Sequence, residues 1–222
     1  MIPRILPFAL FMAFIGLEEL LEFLAGNGTL PIGPGQLLYV YPLKALAVAC
    51  LLLYFWKGYT ELRFGDLLRF KHTAASLAAG VAVFLLWINM DWAILGESAG
   101  YDPTLVDDAT VRGVLTGFRL FGAVLVVPVM EELFWRSFLM RYVISDDFQK
   151  VAVGTFTWPS LLIVAALFAS AHHLLIAGFM AGVAYALLLY LTRSIAQCVL
   201  AHGLTNLLLG LYVLETGSWS FW

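Results

Sequence analysis

Polar residues in this chain do not alternate with apolar ones; they collect in the gaps between long apolar blocks. The first block, Ile5 to Leu24, ends at AGNGTLPIGPG, where three Gly and two Pro follow Asn27 and exclude continued helix. Gln36 to Trp56 predicts a second span. The next stretch, WKGYTELRFGDLLRFKH, carries Lys57, Arg63, Arg69 and Lys71, the mark of a short cytoplasmic loop. Thr73 to Leu95 predicts a third span, closed by the acidic GESAGYDPTLVDDATVR on the other side. Val114 to Val143 is about 30 residues long, more than one crossing needs, and Pro128 is expected to break or kink it just before two glutamates. Pro159 to Leu191 is too long for one helix and predicts two, hinged near His173 to Gly178. Ser194 to Leu214 is the last span, and ETGSWSFW is an aromatic tail suited to a membrane interface.

Each block is close to the about 20 apolar residues that cross a hydrocarbon core. Periodicity therefore predicts an all-α, polytopic membrane protein: about seven to eight helices in one bundle enclosing a polar cavity, residues 1–222 forming a single integral-membrane domain. No ten-residue barrel alternation, internal repeat or low-complexity linker is present. Arg4 followed by Ile5 to Leu17 resembles a signal peptide, but the further apolar blocks favour an uncleaved first span.

Composition agrees. Hydrophobic residues make up 62% and charged residues 12%, against roughly 25% charged in a soluble domain. The net charge of -3 comes with no basic patch, so no nucleic-acid partner is expected. Cys50 and Cys198 sit singly in apolar segments and say nothing about redox compartment.

Against this background the polar residues inside the blocks are the informative ones, because ionisable groups at membrane depth are costly and face a bundle interior or a wet cavity. In VVPVMEELFWRSFLMRYV, Glu132 and Arg136 are four apart in the favoured acid-before-base order and are placed to pair. Glu131 points about 100° away and lacks that partner. In LFASAHHLLIAG, His172 and His173 would face about 100° apart on a helix and so serve different surroundings. In VLAHGLTNLLLG, His202 and Asn206 share one helix face and can donate hydrogen bonds to one point. Glu18, Glu19 and Glu22 in LEELLEFLAG lie near the end of the first span, where an interfacial position is the plain explanation. Asn89 and Asp91 read as a span end approaching water.

A glutamate, two histidines and an asparagine at membrane depth suit hydrolysis. No H-E-x-x-H zinc motif is present. Ser170 and His172 are two apart and diverge on a helix, and most Asp residues lie in loops, so serine and paired-aspartate routes are unsupported. What remains is a carboxylate and a histidine polarising water, with separate donors for an oxyanion.

Glu131-Glu132-x-x-x-Arg136, then Phe168-x-x-x-His172, then His202-x-x-x-Asn206 resemble the three ordered motifs of the CPBP family, the CAAX protease and bacteriocin-processing group that includes the Rce1-like prenyl proteases. The resemblance covers about residues 115 to 210. In size the chain is similar to bacterial CAAX-protease-related proteins associated with exosortase systems.

The resemblance implies a membrane endopeptidase acting on a membrane-associated peptide or protein near the bilayer surface, expected in a bacterial inner membrane. It implies Glu131 as the base that activates water, His172 as its helper, and His202 and Asn206 as the oxyanion site. Glu132, Arg136 and Phe168 would be supporting residues. The expected mechanism uses no cofactor; a metal-dependent version would bind zinc through Glu131, His172 and His202. Two other classes stay open: a small proton-coupled transporter or channel using the Glu and His residues as a relay, and a non-catalytic peptide-binding or immunity member of the same family. Simple alternation of spans puts Glu131 and His172 at opposite membrane faces, so a helix started at Pro128 is needed to bring them together.

Overall fold

The computed structural model describes residues 1–94, 96 and 100–222. Among these residues the chain is all helical. Six long helices and one shorter one form the described bundle: α1 (Ile2–Gly26), α2 (Pro34–Tyr54), α3 (Phe70–Trp87), α4 (Ala109–Tyr142), the shorter α5 (Trp158–Ser170), α6 (Leu175–Thr192) and α7 (Ile195–Thr216). Five of them, α2, α3, α4, α6 and α7, are long and apolar enough to cross a membrane. Helix α5 is apolar but short, and α1 carries Arg4 and three glutamates.

Local chemistry sets the ends. Asp108 caps α4 by accepting from the Thr110 and Val111 backbone N–H groups at 2.8 and 3.0 Å. Thr157 caps α5 through the Ser160 N–H, with Pro159 in the first turn where its missing N–H costs nothing. Between α6 and α7 only Arg193 and Ser194 intervene; Arg193 adopts the left-handed φ of 52° that closes α6.

Polarity is inverted relative to a soluble protein. Leu53, Leu85, Leu187, Leu191 and Leu211 face outward, whereas Glu131, Glu132, Arg136, Gln197, His202 and Thr205 are buried. That distribution is what a lipid solvent demands, and it fits an integral membrane protein. Helix α7 lies at the centre, packed on α3, α4 and α6. Helices α5 and α6 form a hairpin whose close approach needs small residues: a Cβ on Gly178 or Gly182 would come within 3.0 or 3.1 Å of the Ala169 or Ala165 Cα.

Three expectations are corrected. Pro128 does not start a new helix; α4 runs through it from Ala109 to Tyr142. Wide i→i+5 turns at Gly122–Val126 and Leu133–Leu139 flank it, and the first relieves the clash a proline ring makes with the preceding turn. The hinge in the segment 159–191 lies at residues 171–174, so Gly178 is inside α6 rather than at the break. Helix α3 closes at Trp87; the expected span end at Leu95 and residues Glu97 to Ala99 of the acidic segment lie outside the described residues.

Candidate active site

One cavity of about 540 Å³ is lined by Glu131 of α4, Phe168 at the end of α5, His172 and His173 of the 171–174 turn, and His202 and Asn206 of α7. The four residues expected to do the chemistry thus share one space. Helix α5 is thirteen residues, about 20 Å of helix against the about 30 Å of a hydrocarbon core, and the turn that follows it places His172 on the cavity wall. Both histidines border the cavity, from residues 171–174 that form a turn rather than a helix, and their partners differ: His172 bonds the Phe168 carbonyl and His173 the Ser220 backbone.

The two adjacent glutamates have different surroundings. Glu132 is fully buried; its Oε2 lies 3.3 Å from Arg136 Nε and its Oε1 2.9 Å from His202 Nδ1. It is therefore shared between α4 and α7 rather than neutralised by Arg136 alone. Arg136 lies under the Phe168 ring at 4.5 Å and the Tyr185 ring at 5.5 Å from their centroids. Glu131 is also buried; its Oε2, like Glu132 Oε2, makes no hydrogen bond, but among the described residues Glu131 has no ion-pair partner.

The histidines are held by their Nδ1 atoms. His172 Nδ1 donates to the Phe168 carbonyl at 2.7 Å, which leaves Nε2 with its lone pair in the neutral ring. His202 Nδ1 donates to the Glu132 carboxylate, so a proton on its Nε2 belongs to the doubly protonated ring. Phe168 touches both rings, with centroid distances of 4.6 Å to His172 and 6.3 Å to His202.

Asn206 is placed by the distortion in α4. In the Gly122–Val126 turn the Val127 N–H bonds Gly122, and the next possible donor to Ala123 is Pro128, which has no N–H. The Ala123 carbonyl is orphaned, and Asn206 Nδ2 donates to it at 2.8 Å. One Asn206 N–H is used there and the second remains. One turn away on α7, Gly203 lets the helices meet: a Cβ there would stand 2.9 Å from the Val124 carbonyl.

Sequence reasoning missed several neighbours. Tyr185 stacks on His202 at 5.1 Å and 21°, its hydroxyl fixed 2.8 Å from Thr205 Oγ1, which in turn donates to the Gly80 carbonyl at 2.9 Å. An aromatic residue in an apolar helix gives no signal of this kind. Glu18 is not merely interfacial: it pairs with buried Lys44 of α2 at 2.6 Å, and Glu18, Glu19 and Glu22 all line the cavity. Lys44 and Arg119 were legible, because the cost argument that singles out Glu131 applies to any cation inside a predicted span.

Among the described residues no group of three His, Cys, Asp or Glu side chains is arranged to hold a metal ion. Glu131, His172 and His202 line one cavity but are not gathered into a ligand set, and no step below is routed through a metal.

The family model described as type II CAAX prenyl endopeptidase Rce1-like matches residues 113–208. No curated protein and no solved structure matches the chain. The matched segment contains all three polar motifs and every side chain that joins Glu132 to His202 and Asn206 to α4, and over these residues the chain is similar to the Rce1-like endopeptidases.

Proposed function

We propose that this chain is an intramembrane endopeptidase that hydrolyses a membrane-associated peptide with a water activated by Glu131 and His172. One observation carries the reading: of two adjacent buried glutamates, Glu132 is ion-paired to Arg136 and His202, while Glu131, among the described residues, has no cation within ion-pair distance and lines the cavity that both histidines line. Glu131 takes a proton from water as the water oxygen attacks the scissile carbonyl carbon, and the His172 Nε2 lone pair orients that water. The carbonyl π pair moves to oxygen. The resulting oxyanion accepts hydrogen bonds from protonated His202 Nε2 and from the second Asn206 N–H. Collapse breaks the C–N bond, and the leaving nitrogen takes the proton back from Glu131.

Tyr185 and Glu132 act through His202, holding its ring plane and fixing Nδ1 toward Glu132 so that Nε2 is the nitrogen left for the oxyanion. The experiment is cleavage of a membrane-anchored fluorogenic peptide by the protein reconstituted in vesicles. Glu131→Gln is expected to abolish turnover while the unfolding temperature stays unchanged. Turnover within a few-fold of the unmodified protein would remove Glu131 as the base.

A further inference from the structure

The cavity extends along α4 beyond Glu131 to a cation without an ion-pair partner among the described residues. Four cations are nine-tenths buried in the bundle, Arg4, Lys44, Arg136 and Arg141, and each has a carboxylate within 3.9 Å. Arg119 lines the cavity, yet among the described residues no carboxylate lies within ion-pair distance of it. Its Nε is shut away from solvent without a hydrogen-bond partner.

Aromatic rings surround it instead. The guanidinium carbon lies 4.5 Å from the Tyr41 ring centroid, 5.2 Å from Tyr101 and 5.8 Å from Trp222. Burial pushes the Tyr101 phenol up to about 12 although the Arg119 charge opposes the shift, so this ring is a neutral wall rather than a phenolate counter-ion. Rings stabilise a guanidinium through its faces. A guanidinium also carries five N–H donors in one planar fork, the geometry that receives a carboxylate through two parallel hydrogen bonds.

We propose that Arg119 is the receptor for a carboxylate of the bound peptide, so that the cavity selects substrates with an acidic group on one side of the scissile bond. The proposal rests on the endopeptidase reading and names the substrate class of that same site. Positions 119 and 131 are twelve apart on one helix, about 18 Å at the α-helical rise. An extended peptide covers that distance with about five residues. A single carboxylate matches one uncompensated cation, whereas Glu19 and Glu22 elsewhere on the lining disfavour a polyanion. The carboxylate has two possible sources in a peptide, its C-terminus and an Asp or Glu side chain.

The test uses the full chain in phosphatidylcholine vesicles and one membrane-anchored peptide in three forms: free acid, C-terminal amide, and C-terminal amide carrying Glu about five residues from the cleaved bond. KM is measured for the unmodified protein, and Kd for the Glu131→Gln protein, so that anion preference is read even if cleavage chemistry differs from that proposed. At least one carboxylate form is expected to bind about tenfold or more tighter than the neutral amide, as loss of a hydrogen bond to a charged group implies; which form does so identifies the source. Arg119→Gln should erase the preference, and Arg119→Lys should keep part of it. Equal affinity of the unmodified protein for all three peptides overturns the proposal, as does an equal loss for all three in Arg119→Gln. An Arg119→Gln effect that appears only when the vesicles contain anionic lipid assigns the residue to a headgroup and also overturns it. Cleavage that survives Glu131→Gln overturns the mechanism while leaving the anion preference to be judged on Kd.

Discussion

His202 Nδ1 lies 2.9 Å from Glu132 Oε1, while the other carboxylate oxygen of Glu132 faces Arg136 Nε at 3.3 Å. One buried carboxylate thus joins a cation of its own helix to an imidazole of another. Paired groups of this kind are tolerated in low dielectric only as a set, because removal of one member leaves the others charged and unsolvated.

The two glutamates should therefore fail in opposite ways. Glu132→Gln leaves Arg136 buried without its counter-charge and is expected to cost about 3–5 kcal/mol of stability. Glu131→Gln removes no partner, and thermal unfolding in detergent should be unchanged. A similar loss of stability in both variants would contradict the asymmetry.

Tyr185 is expected to position His202 rather than touch substrate. Tyr185→Phe loses the hydroxyl bond to Thr205 but keeps the stacked ring, so it should lower stability by about 1 kcal/mol with near-normal turnover. Tyr185→Ala frees the imidazole and should lower kcat about 100-fold, the scale of a small misplacement. Comparing kcat with KM in the two variants checks this.

Gly203→Ala drives a methyl group to 2.9 Å from the Val124 carbonyl. Separation of α4 from α7 should cost about 1–3 kcal/mol and lengthen the Asn206 bond to Ala123, lowering kcat. The unfolding midpoint and single-turnover rates measure the two effects.

Acid sensitivity should come from the far end of the bundle. Glu61, in the loop between α2 and α3, accepts from Arg4 Nε at 2.7 Å and NH2 at 2.6 Å, and Ser137 also donates to it. Burial alone raises its proton affinity, but the bonds from Arg4, from Ser137 and from the backbone, together with the Arg4 charge, outweigh burial and hold its pKa below the ordinary glutamate value. A depressed folded-state value means that this stability is fully present above the unfolded carboxyl range and is lost as pH falls through the folded value. Below about pH 4 the unmodified protein should destabilise more steeply than Glu61→Gln, as followed by circular dichroism.

Turnover is expected to persist after dialysis against strong chelators. Loss of activity restored by zinc would return Glu131, His172 and His202 to a metal-ligand role.

How much of this was readable beforehand follows from one physical rule. Ionisable residues inside apolar blocks are expensive, so Glu131, Glu132, Arg136, His172 and His202 stood out, and the apolar blocks themselves gave the all-helical bundle. Lys44 and Arg119 obey the same rule and escaped notice only because no motif surrounded them. What is not legible is three-dimensional. The i→i+5 turn that lets α4 run through Pro128, the carbonyl this leaves for Asn206 and the Tyr185 ring under His202 depend on which helices meet, and spacing along one helix does not say that. The wheel argument for His172 and His173 assumed a helix where the chain turns, although the two rings do have different partners.

The brevity of α5 has a further consequence for hydrolysis, which needs two reactants. Non-helical backbone at membrane depth persists only where it is buried in protein or borders water, since hydrocarbon offers its N–H and C=O groups nothing. The turn at residues 171–174 supplies such backbone beside His172, on the wall of the cavity that Glu131 also lines. Water bordering that turn would meet two needs at once, supplying partners for the open backbone groups and the second reactant of the proposed hydrolysis.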